Sequence, residues 1–319
     1  MDYAASRGKS NFDPFTLLYR INCNAGDKMS KLLVIGSGLL GREVAFAARD
    51  RHQTILTYNN HPVEIDGCKS HQMDITRRLN FIQFMSPDYI VLTAAMTNVD
   101  ACEADRLGAW KANALGPKNV ALAAKDIGAK LIYVSTDYVF DGERGMYHED
   151  DPTSPINYYG ESKLAGERFV REICPDSAIA RTSVLYGQNP VRHNFVTWAA
   201  DEMKKGNKIN IVNDQYTSPT FSPNLADMIL GIRDQTGVFH TCGAERINRY
   251  DFSIKIAKAF CLDESLVNPI TSNQLSWKAR RPMDSSLDTS KVSLFAKPLN
   301  VKEGLKAMVN MAKQGTVAK

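Results

Sequence analysis

The chain lacks long hydrophobic runs and any strong excess of charge of one sign. No apolar run approaches the roughly eighteen residues that a membrane-spanning helix needs, so we expect no membrane insertion. The formal net charge is only +4 over 319 residues, and the lysines and arginines are scattered along the chain. Because a nucleic-acid backbone is bound by a basic stripe or patch, we expect no nucleic-acid partner.

Cysteine is also sparse. The six cysteines lie far apart, with no C-x-x-C pair and no histidine at zinc-ligand spacing. This distribution excludes a closely spaced disulfide framework and gives no metal site. Scattered thiols that stay reduced favour a cytoplasmic protein over a secreted one.

The first 28 residues follow neither a helical nor a strand period, and they lack the compact apolar core of a signal peptide. We therefore predict that residues 1–28 form a disordered N-terminal extension outside the fold. An alternative is that translation begins at Met29, just before the first predicted strand.

What the chain does contain is an alternation of short apolar runs and helical stretches. Strands are predicted at residues 31–35, 54–58, 89–94, 130–135 and 178–182, and helices at 39–51, 101–124 and 159–173. Strands that are apolar throughout are typical of a sheet buried on both faces. The pattern predicts an α/β fold built on a Rossmann-like, doubly wound parallel sheet, which binds ligands at the carboxyl ends of its strands.

A glycine-rich loop follows the first predicted strand and opens the first predicted helix. It reads Gly36-Ser37-Gly38-Leu39-Leu40-Gly41, and this context is the one in which G-x-G-x-x-G binds the pyrophosphate of a dinucleotide. Glycines permit the tight turn, and free N–H groups at the helix start hold the phosphate charge. The alternative is a purely structural turn. We favour a dinucleotide cofactor.

The second predicted strand ends in Tyr58-Asn59-Asn60-His61 and lacks the Asp or Glu that would bind a free ribose 2′-hydroxyl. Neutral donors such as Asn59 favour NADP(H), and NAD(H) stays open. Further candidate contacts to the adenine and ribose follow the next strands: Asp74, Ile75, Ala94, Ala95 and Thr97. A helix N-cap at Asp74 and close packing at the two alanines explain those residues equally well.

The alternation loosens after Gly187, where six prolines divide the remainder into shorter pieces. We predict an NAD(P)-binding Rossmann domain over residues 29–188 and a smaller C-terminal substrate-binding lobe over residues 189–313. Part of that lobe is expected to return to the Rossmann domain. Residues 314–319 are predicted to be a free tail.

Tyr159 and Lys163 lie four residues apart on a predicted helix and therefore share one face. Tyrosine donates a proton readily only if its pKa of about 10 falls, and a nearby ammonium lowers it. Thr136 and Asp137 end the preceding strand. This combination predicts an acid/base site for hydride chemistry at a carbonyl. The alternatives are an ordinary amphipathic helix start and, for Asp137, a turn cap.

Three segments in chain order resemble the extended short-chain dehydrogenase/reductase family over nearly everything after Met29: the glycine loop, residues 134–142 and Tyr159-Gly160-Glu161-Ser162-Lys163. Together with Arg181-Thr182-Ser183, Asp214-Gln215 and Arg280-Arg281-Pro282, they look like the dTDP-4-dehydrorhamnose reductases within that family. The resemblance implies reduction of the 4-keto group of a nucleotide-linked 6-deoxysugar by hydride from NAD(P)H.

The resemblance also implies roles for single residues. Tyr159 would donate the proton, Lys163 would hold the nicotinamide ribose and lower the tyrosine pKa, and Thr136 would bond the sugar carbonyl. Asp137 would tune this group or orient the sugar. Substrate contacts are also expected from Val99, Val184, Asn194, Phe195 and Arg281.

Several of these positions carry a second interpretation. Val184 stands where enzymes of this type tend to carry a tryptophan, and the glycine loop is one residue shorter than the usual Gly-x-x-Gly-x-x-Gly. Arg280 and Arg281 suit phosphate oxygens, although a solvated surface turn explains them nearly as well. Asp100, followed three residues later by Glu103, is interpreted as a helix capping box.

Two other functions stay open. Proteins similar to this subgroup are NADP-binding regulatory subunits of methionine adenosyltransferase, although intact Tyr159, Lys163 and Thr136 argue against that role here. The other is an epimerase or dehydratase of the same fold, but Asp137-Tyr138 does not provide the additional carboxylate pair of a dehydratase. A homodimer also stays open, because dimers are common for this fold.

Overall fold

The computed structural model describes residues 29–314 apart from residues 78, 80 and 189–192. The predicted extension over residues 1–28 lies outside the described residues, as do residues 315–319 of the predicted tail. Gln314, which was predicted to begin that tail, is instead the last residue of the final helix.

Strands and helices alternate through the first part of the chain and become shorter after it. The strands are β1 (Lys31–Ile35), β2 (Gln53–Tyr58), β3 (Lys69–Gln72), β4 (Tyr89–Leu92), β5 (Lys130–Thr136), β6 (Ala178–Thr182), β7 (Leu185–Tyr186), β8 (Ile209–Val212), β9 (Tyr216–Thr217), β10 (Thr220–Phe221), β11 (Gly237–His240), β12 (Ile247–Asn248) and β13 (Val267–Ile270). The α-helices are α1 (Leu39–Ala48), α2 (Phe81–Met85), α3 (Val99–Ala104), α4 (Arg106–Trp110), α5 (Gly116–Ile127), α6 (Tyr158–Ile173), α7 (Phe195–Lys204), α8 (Ser222–Gly231), α9 (Arg249–Ala259) and α10 (Val301–Gln314). A π-helical turn spans Lys111–Leu115, and 3₁₀ turns span Asp137–Val139, Glu264–Leu266, Ser272–Gln274 and Val292–Leu294.

Within the described chain, one seven-stranded sheet has the order β11-β6-β5-β4-β1-β2-β3, and every neighbouring pair in it is parallel. The Rossmann-like parallel sheet predicted from the sequence is therefore confirmed. Because the strands run in one direction, the loops after β1, β4 and β5 meet at the same edge. That edge holds the glycine loop and Thr136.

Burial on both faces explains why the central strands are apolar throughout. In β1, Leu32 and Val34 pack against the layer of α1 and α8, whereas Leu33 and Ile35 pack against the layer that contains α5. These four side chains are at most 1% exposed. Successive side chains of a strand point to opposite faces, so a strand with helices on both sides needs an apolar residue at every position.

Two strands of the sheet have no apolar signal of the expected length and were not predicted. β3 reads Lys-Ser-His-Gln and is mostly exposed, because it lies at the sheet edge and has a partner on one side only. β11 lies far along the chain and pairs with β6 at the opposite edge. The C-terminal segment thus contributes both β11 and α8 to the Rossmann part of the molecule.

The single helix predicted over residues 101–124 is wrong. Asp105 ends α3 and caps α4 by accepting from the Gly108 backbone N–H at 2.9 Å. The π-helical turn then separates α4 from α5. A π turn inserts an extra residue into the helix and changes the direction of the side chains that follow, and such turns are frequent at functional sites.

The C-terminal lobe has its own core, formed by α7, α9, α10 and the short strands β8 and β13. Aromatic rings fill its centre: Tyr186 packs against Phe221 at 5.7 Å and against Phe252 at 5.5 Å between ring centroids. Over the part of the chain that the structure describes, no helix is both long enough and apolar enough to cross a membrane.

Candidate active site

The glycine loop between β1 and α1 is shaped by two close backbone contacts. Gly36 has φ +110°, and a Cβ there would lie 2.7 Å from the Ala94 backbone nitrogen. A Cβ at Gly41 would overlap the Gly36 carbonyl oxygen. Gly38 differs, because nothing lies within 4 Å of a Cβ placed on it. The open space at Gly38 faces the start of α1, and this is where a pyrophosphate would approach free N–H groups.

The remaining residues of the glycine loop contribute mainly backbone. Leu40 is buried in the sheet core. Leu39 points towards Gly187, at the end of β7, and Ser37 is half-buried. The N–H groups of this loop would hold a dinucleotide phosphate, and the cofactor contacts of its residues stay predictions.

The residues predicted to contact the adenine and ribose lie at the same sheet edge. They differ in whether their polar groups already form hydrogen bonds within the protein. Asn59 is exposed directly after β2, and its carbonyl accepts from Gln72 Nε2 at 2.8 Å. Asp74 accepts from the Thr76 N–H at 2.9 Å and hydroxyl at 2.7 Å. It therefore closes a turn, and its interpretation as a helix N-cap is wrong.

Two of the predicted cofactor contacts, Ile75 and Ala94, are placed by packing within the protein. The Ile75 side chain is buried and would be contacted by any Cβ at Gly116. The Ala94 N–H donates to the Ile35 carbonyl at 2.9 Å, which brings this loop against the glycine loop. Ala95 is half-buried and Thr97 is exposed, so both remain available as predicted cofactor contacts.

The start of α6 is fixed from three directions. Asn157 caps the helix by accepting from the Gly160 N–H at 2.9 Å, and Glu103 Oε1 accepts from the Tyr158 N–H at 2.7 Å. A Cβ at Gly160 would overlap the Tyr138 carbonyl oxygen, so only glycine lets the helix pack this closely on the 3₁₀ turn. These contacts position Tyr159 in the first turn of α6.

Tyr159 lies beside Thr136 and Tyr138. Its ring packs edge-to-face on Tyr138, with 5.9 Å between centroids and an interplanar angle of 73°. Burial raises the pKa of the Tyr159 phenol above its usual value of about 10, the Thr136 hydroxyl works against this rise, and the nearby Asp137 adds to it. The phenol is therefore held in its protonated form, the form that a proton donor needs.

Lys163 lies one turn further along the same helix face and is only 2% exposed. Its Nζ donates to the Val134 carbonyl of β5 at 2.7 Å and lies 4.2 Å from the centroid of the Tyr133 ring. Burial lowers the pKa of Lys163 to about 7, and Glu167 works against this change. The prediction that the Tyr159 pKa falls below its usual value is wrong for the cofactor-free protein, because burial of the phenol dominates and raises that pKa.

Asp137 lies at the centre of a buried hydroxyl network. Its carboxylate accepts from Thr136 at 3.0 Å, from Ser183 at 2.8 Å and from Ser285 at 2.6 Å. Burial raises the Asp137 pKa, and the three hydroxyl groups work against that rise. The residue that caps the 3₁₀ turn is Thr136, which accepts from the Tyr138 N–H at 3.2 Å. The interpretation of Asp137 as a turn cap is therefore wrong.

Sequence reasoning missed Asn113, a fully buried residue of the π-helical turn. Its side chain accepts from the Met96 N–H at 2.8 Å and donates to the Met96 carbonyl at 3.0 Å and to Ser162 at 3.1 Å. Asn113 thus joins the loop after β4 to the helix that carries Tyr159. A lone asparagine inside a predicted helix gave no signal, and only the π turn marks it.

Arg281 of the C-terminal lobe forms an ion pair with Asp100 of α3 at 3.0 Å. The same carboxylate accepts from the Ala279 N–H at 2.9 Å. The capping-box interpretation of Asp100 is therefore wrong: Asn98 caps α3 by accepting from the Ala101 N–H at 3.0 Å. Asp100 instead holds residues 279–281 of the C-terminal lobe against the Rossmann part.

The other predicted substrate residues differ in whether their side chains are already used by contacts within the protein. Asn194 uses its side chain to cap α7 in a capping box with Thr197, and its Nδ2 donates to the Gly187 carbonyl at 2.7 Å. Phe195 stacks on Phe252 of the lobe core, with 5.7 Å between centroids. Val99 and Val184 are half-buried. Their substrate contacts stay predictions.

Thr136, Tyr159 and Lys163 are thus brought together at the carboxyl end of β5, and the glycine loop lies at the same sheet edge. A protonated phenol and a hydroxyl beside it can donate to one carbonyl oxygen, where negative charge develops as hydride reaches the carbon. In the described ranges, no group of three or more His, Cys, Asp or Glu side chains could hold a metal ion.

The chain is similar to several known proteins. The probable low-salt glycan biosynthesis reductase Agl14 of Haloferax volcanii is 34% identical over 266 residues, which cover 80% of this chain and 88% of that protein. Methionine adenosyltransferase 2 subunit beta of Danio rerio is 33% identical over 278 residues, covering 83% of this chain and 84% of that protein.

Among solved structures, dTDP-4-dehydrorhamnose reductase of Bacillus anthracis in complex with NADP has a TM-score of 0.80 and 31% identity, covering 88% of this chain and 99% of that one. The resemblance inferred from the motifs is thereby confirmed. The family described as the RmlD substrate binding domain matches residues 29–314. The chain belongs to the RmlD substrate binding domain family.

Proposed function

We propose that this protein reduces the 4-keto group of a nucleotide-linked 6-deoxysugar, in the manner of a dTDP-4-dehydrorhamnose reductase. The observation that carries the proposal is the convergence of Thr136, Tyr159 and Lys163 at the carboxyl end of β5, beside a glycine loop with open space at Gly38. The similarity to a dTDP-4-dehydrorhamnose reductase with bound NADP supports both the sugar and the cofactor.

NADPH, when bound, supplies the hydride that reduces the carbonyl carbon. Tyr159 donates its proton to the carbonyl oxygen, which stays on the sugar as a hydroxyl group, and Thr136 stabilises the charge on that oxygen during the transfer. Lys163 would hold the nicotinamide ribose, and when it is protonated it favours the tyrosinate that remains. The backbone N–H groups near Gly38 would bind the pyrophosphate.

The lack of an acidic residue after β2 supports NADP(H) as the preferred cofactor, because a carboxylate there would repel a 2′-phosphate. We further propose a cytoplasmic location, which is supported by free thiols at the described cysteines. A homodimer stays a prediction that light scattering on the purified protein would test.

The direct test is NADPH oxidation by purified protein with dTDP-4-dehydro-6-deoxy-L-mannose. We expect turnover by the wild type, and a loss of at least about 100-fold in kcat for Tyr159→Phe with unchanged NADPH affinity. Phenylalanine keeps the ring that packs on Tyr138 and removes only the proton donor. Absence of turnover by the wild type would contradict the proposal.

A second candidate is supported by the similarity to methionine adenosyltransferase 2 subunit beta. In that role the protein would bind NADP and a methionine adenosyltransferase without reducing a sugar. Co-purification with such an enzyme, combined with absence of turnover, would favour the regulatory role. Tightly retained NAD without net NADPH oxidation would instead favour an epimerase.

A further inference from the structure

Arg249 is the first residue of α9, and its side chain extends to Phe195 and Tyr138, near the predicted proton donor. Its guanidinium carbon is 5.4 Å from the centroid of the Phe195 ring. It also reaches the Tyr138 side chain, and Tyr138 packs edge-to-face on Tyr159. One aromatic ring therefore separates the Arg249 guanidinium from the phenol of Tyr159.

The charge of Arg249 is only partly compensated, because it acts on the buried carboxylate of Asp137 without forming an ion pair with it. Two other arginines of the same lobe have carboxylate partners: Arg246 pairs with Asp284 at 2.6 Å and Arg281 pairs with Asp100 at 3.0 Å. No carboxylate among the described residues forms an ion pair with Arg249, which is half-buried. A half-buried cation without an ion-pair partner can bind an anionic ligand without first giving up a salt bridge.

The backbone of Arg249 is held in place on both sides. Asn248 caps α9 by accepting from the Asp251 N–H at 2.7 Å, and the Arg249 N–H donates to the Gln215 carbonyl at 3.2 Å. The Ser253 hydroxyl donates to the Arg249 carbonyl at 2.9 Å. With its stem anchored and its guanidinium against Phe195, the side chain is ordered before any ligand arrives.

We propose that Arg249 binds the diphosphate of the nucleotide-sugar substrate, an inference that rests on the proposed function. In a pyranose, the phosphate-bearing C1 lies across the ring from C4. A sugar whose C4 carbonyl meets Tyr159 therefore places its diphosphate about one ring away, and Arg249 is likewise separated from Tyr159 by the ring of Tyr138. The planar guanidinium fork matches phosphate oxygens.

The test compares Arg249→Met, Arg249→Lys and the control Lys258→Met. Lys258 lies on the same helix, is 63% exposed and pairs with Glu264, so its replacement removes equal charge away from the cleft. The affinity of the NADP-bound protein for dTDP and for thymidine is measured by calorimetry, together with kcat and KM for the sugar nucleotide.

We expect Arg249→Met to weaken dTDP binding and raise the substrate KM by about 10-fold to 100-fold, the worth of hydrogen bonds to a charged group, with thymidine and NADPH affinity unchanged. Arg249→Lys should restore part of the loss, and Lys258→Met should behave as wild type. Equal losses for dTDP and thymidine would show a structural role and overturn the inference. So would wild-type affinity in Arg249→Met, or absence of dTDP binding by the wild type. If dTDP binding depends on Arg249 but the sugar nucleotide is not turned over, the proposed reaction is contradicted and the diphosphate site is supported.

Discussion

Replacement of Lys163 by methionine should make the protein more stable while abolishing its activity. The Lys163 side chain is 2% exposed, and burial lowers its pKa from the usual 10.5 to about 7. Each pKa unit of such a difference is worth about 1.4 kcal/mol. Transfer of the Lys163 ammonium from water to its buried site therefore costs about 5 kcal/mol. At about pH 7 the folded state carries about 4 kcal/mol of this cost, because half of the lysines have released the proton.

Methionine has a similar length and no charge to bury. The variant loses the hydrogen bond to the Val134 carbonyl, worth about 1 kcal/mol net, and the contact with the Tyr133 ring, worth about 1 kcal/mol. We therefore expect Lys163→Met to unfold with a free energy about 2 kcal/mol higher than wild type at about pH 7.

The pH dependence distinguishes this cause from better packing. Between about pH 7 and pH 10.5 the unfolded wild type binds a proton that the folded wild type does not, so wild-type stability rises with pH in this window. The advantage of Lys163→Met should therefore shrink by about 2 kcal/mol between about pH 7 and pH 9. Urea unfolding of the cofactor-free protein measures this, with Lys302→Met on the exposed face of α10 as control. An advantage that does not change with pH, or a variant less stable than wild type throughout, would refute the reasoning.

Two further predictions separate folding from binding. Gly41→Ala should lower stability by about 1–3 kcal/mol, because its methyl overlaps the Gly36 carbonyl. Gly38→Ala should unfold like wild type, because its methyl group enters open space at the start of α1. The same methyl group should weaken NADPH binding at least about tenfold, or about 1.4 kcal/mol. Thermal melts and NADPH titrations measure the two effects, and equal behaviour of Gly41→Ala and Gly38→Ala would contradict this prediction. Asp100→Ala should release the segment that carries Arg281 and raise the substrate KM about fivefold or more, the worth of about 1 kcal/mol, with little change in kcat. A change in kcat alone would contradict that role.

The sheet was predictable because its central strands are buried on both faces. Residues 31–35 and 178–182 form strands with the predicted bounds, since runs such as Leu-Leu-Val-Ile have no polar position that could face solvent. β3 had no such run, because an edge strand with exposed side chains can be polar. β11 was missed because its short run is placed by pairing with β6, a contact distant in sequence that no local pattern records.

The site was predictable where its residues are close in sequence. Tyr159 and Lys163 share a helix face by spacing alone, and Thr136 ends the strand before that helix. Asn113 and Arg249 were not predictable, because their importance comes from contacts between distant segments. Asp100 gave a misleading signal for the same reason: its sequence fits a capping box, yet its carboxylate is used by Ala279 and Arg281, almost two hundred residues away.

The hydrogen bonds of Thr136 indicate how the site responds to its substrate. Its single proton points at Asp137, and its oxygen accepts from the Tyr138 N–H. To donate to a sugar carbonyl, the Thr136 hydroxyl must turn away from Asp137. The carboxylate can release it because Ser183 and Ser285 still donate to Asp137. We therefore propose that Asp137 is the acceptor that orients Thr136 until the carbonyl arrives, which would explain why a buried carboxylate with three hydroxyl donors lies beside the predicted proton donor Tyr159.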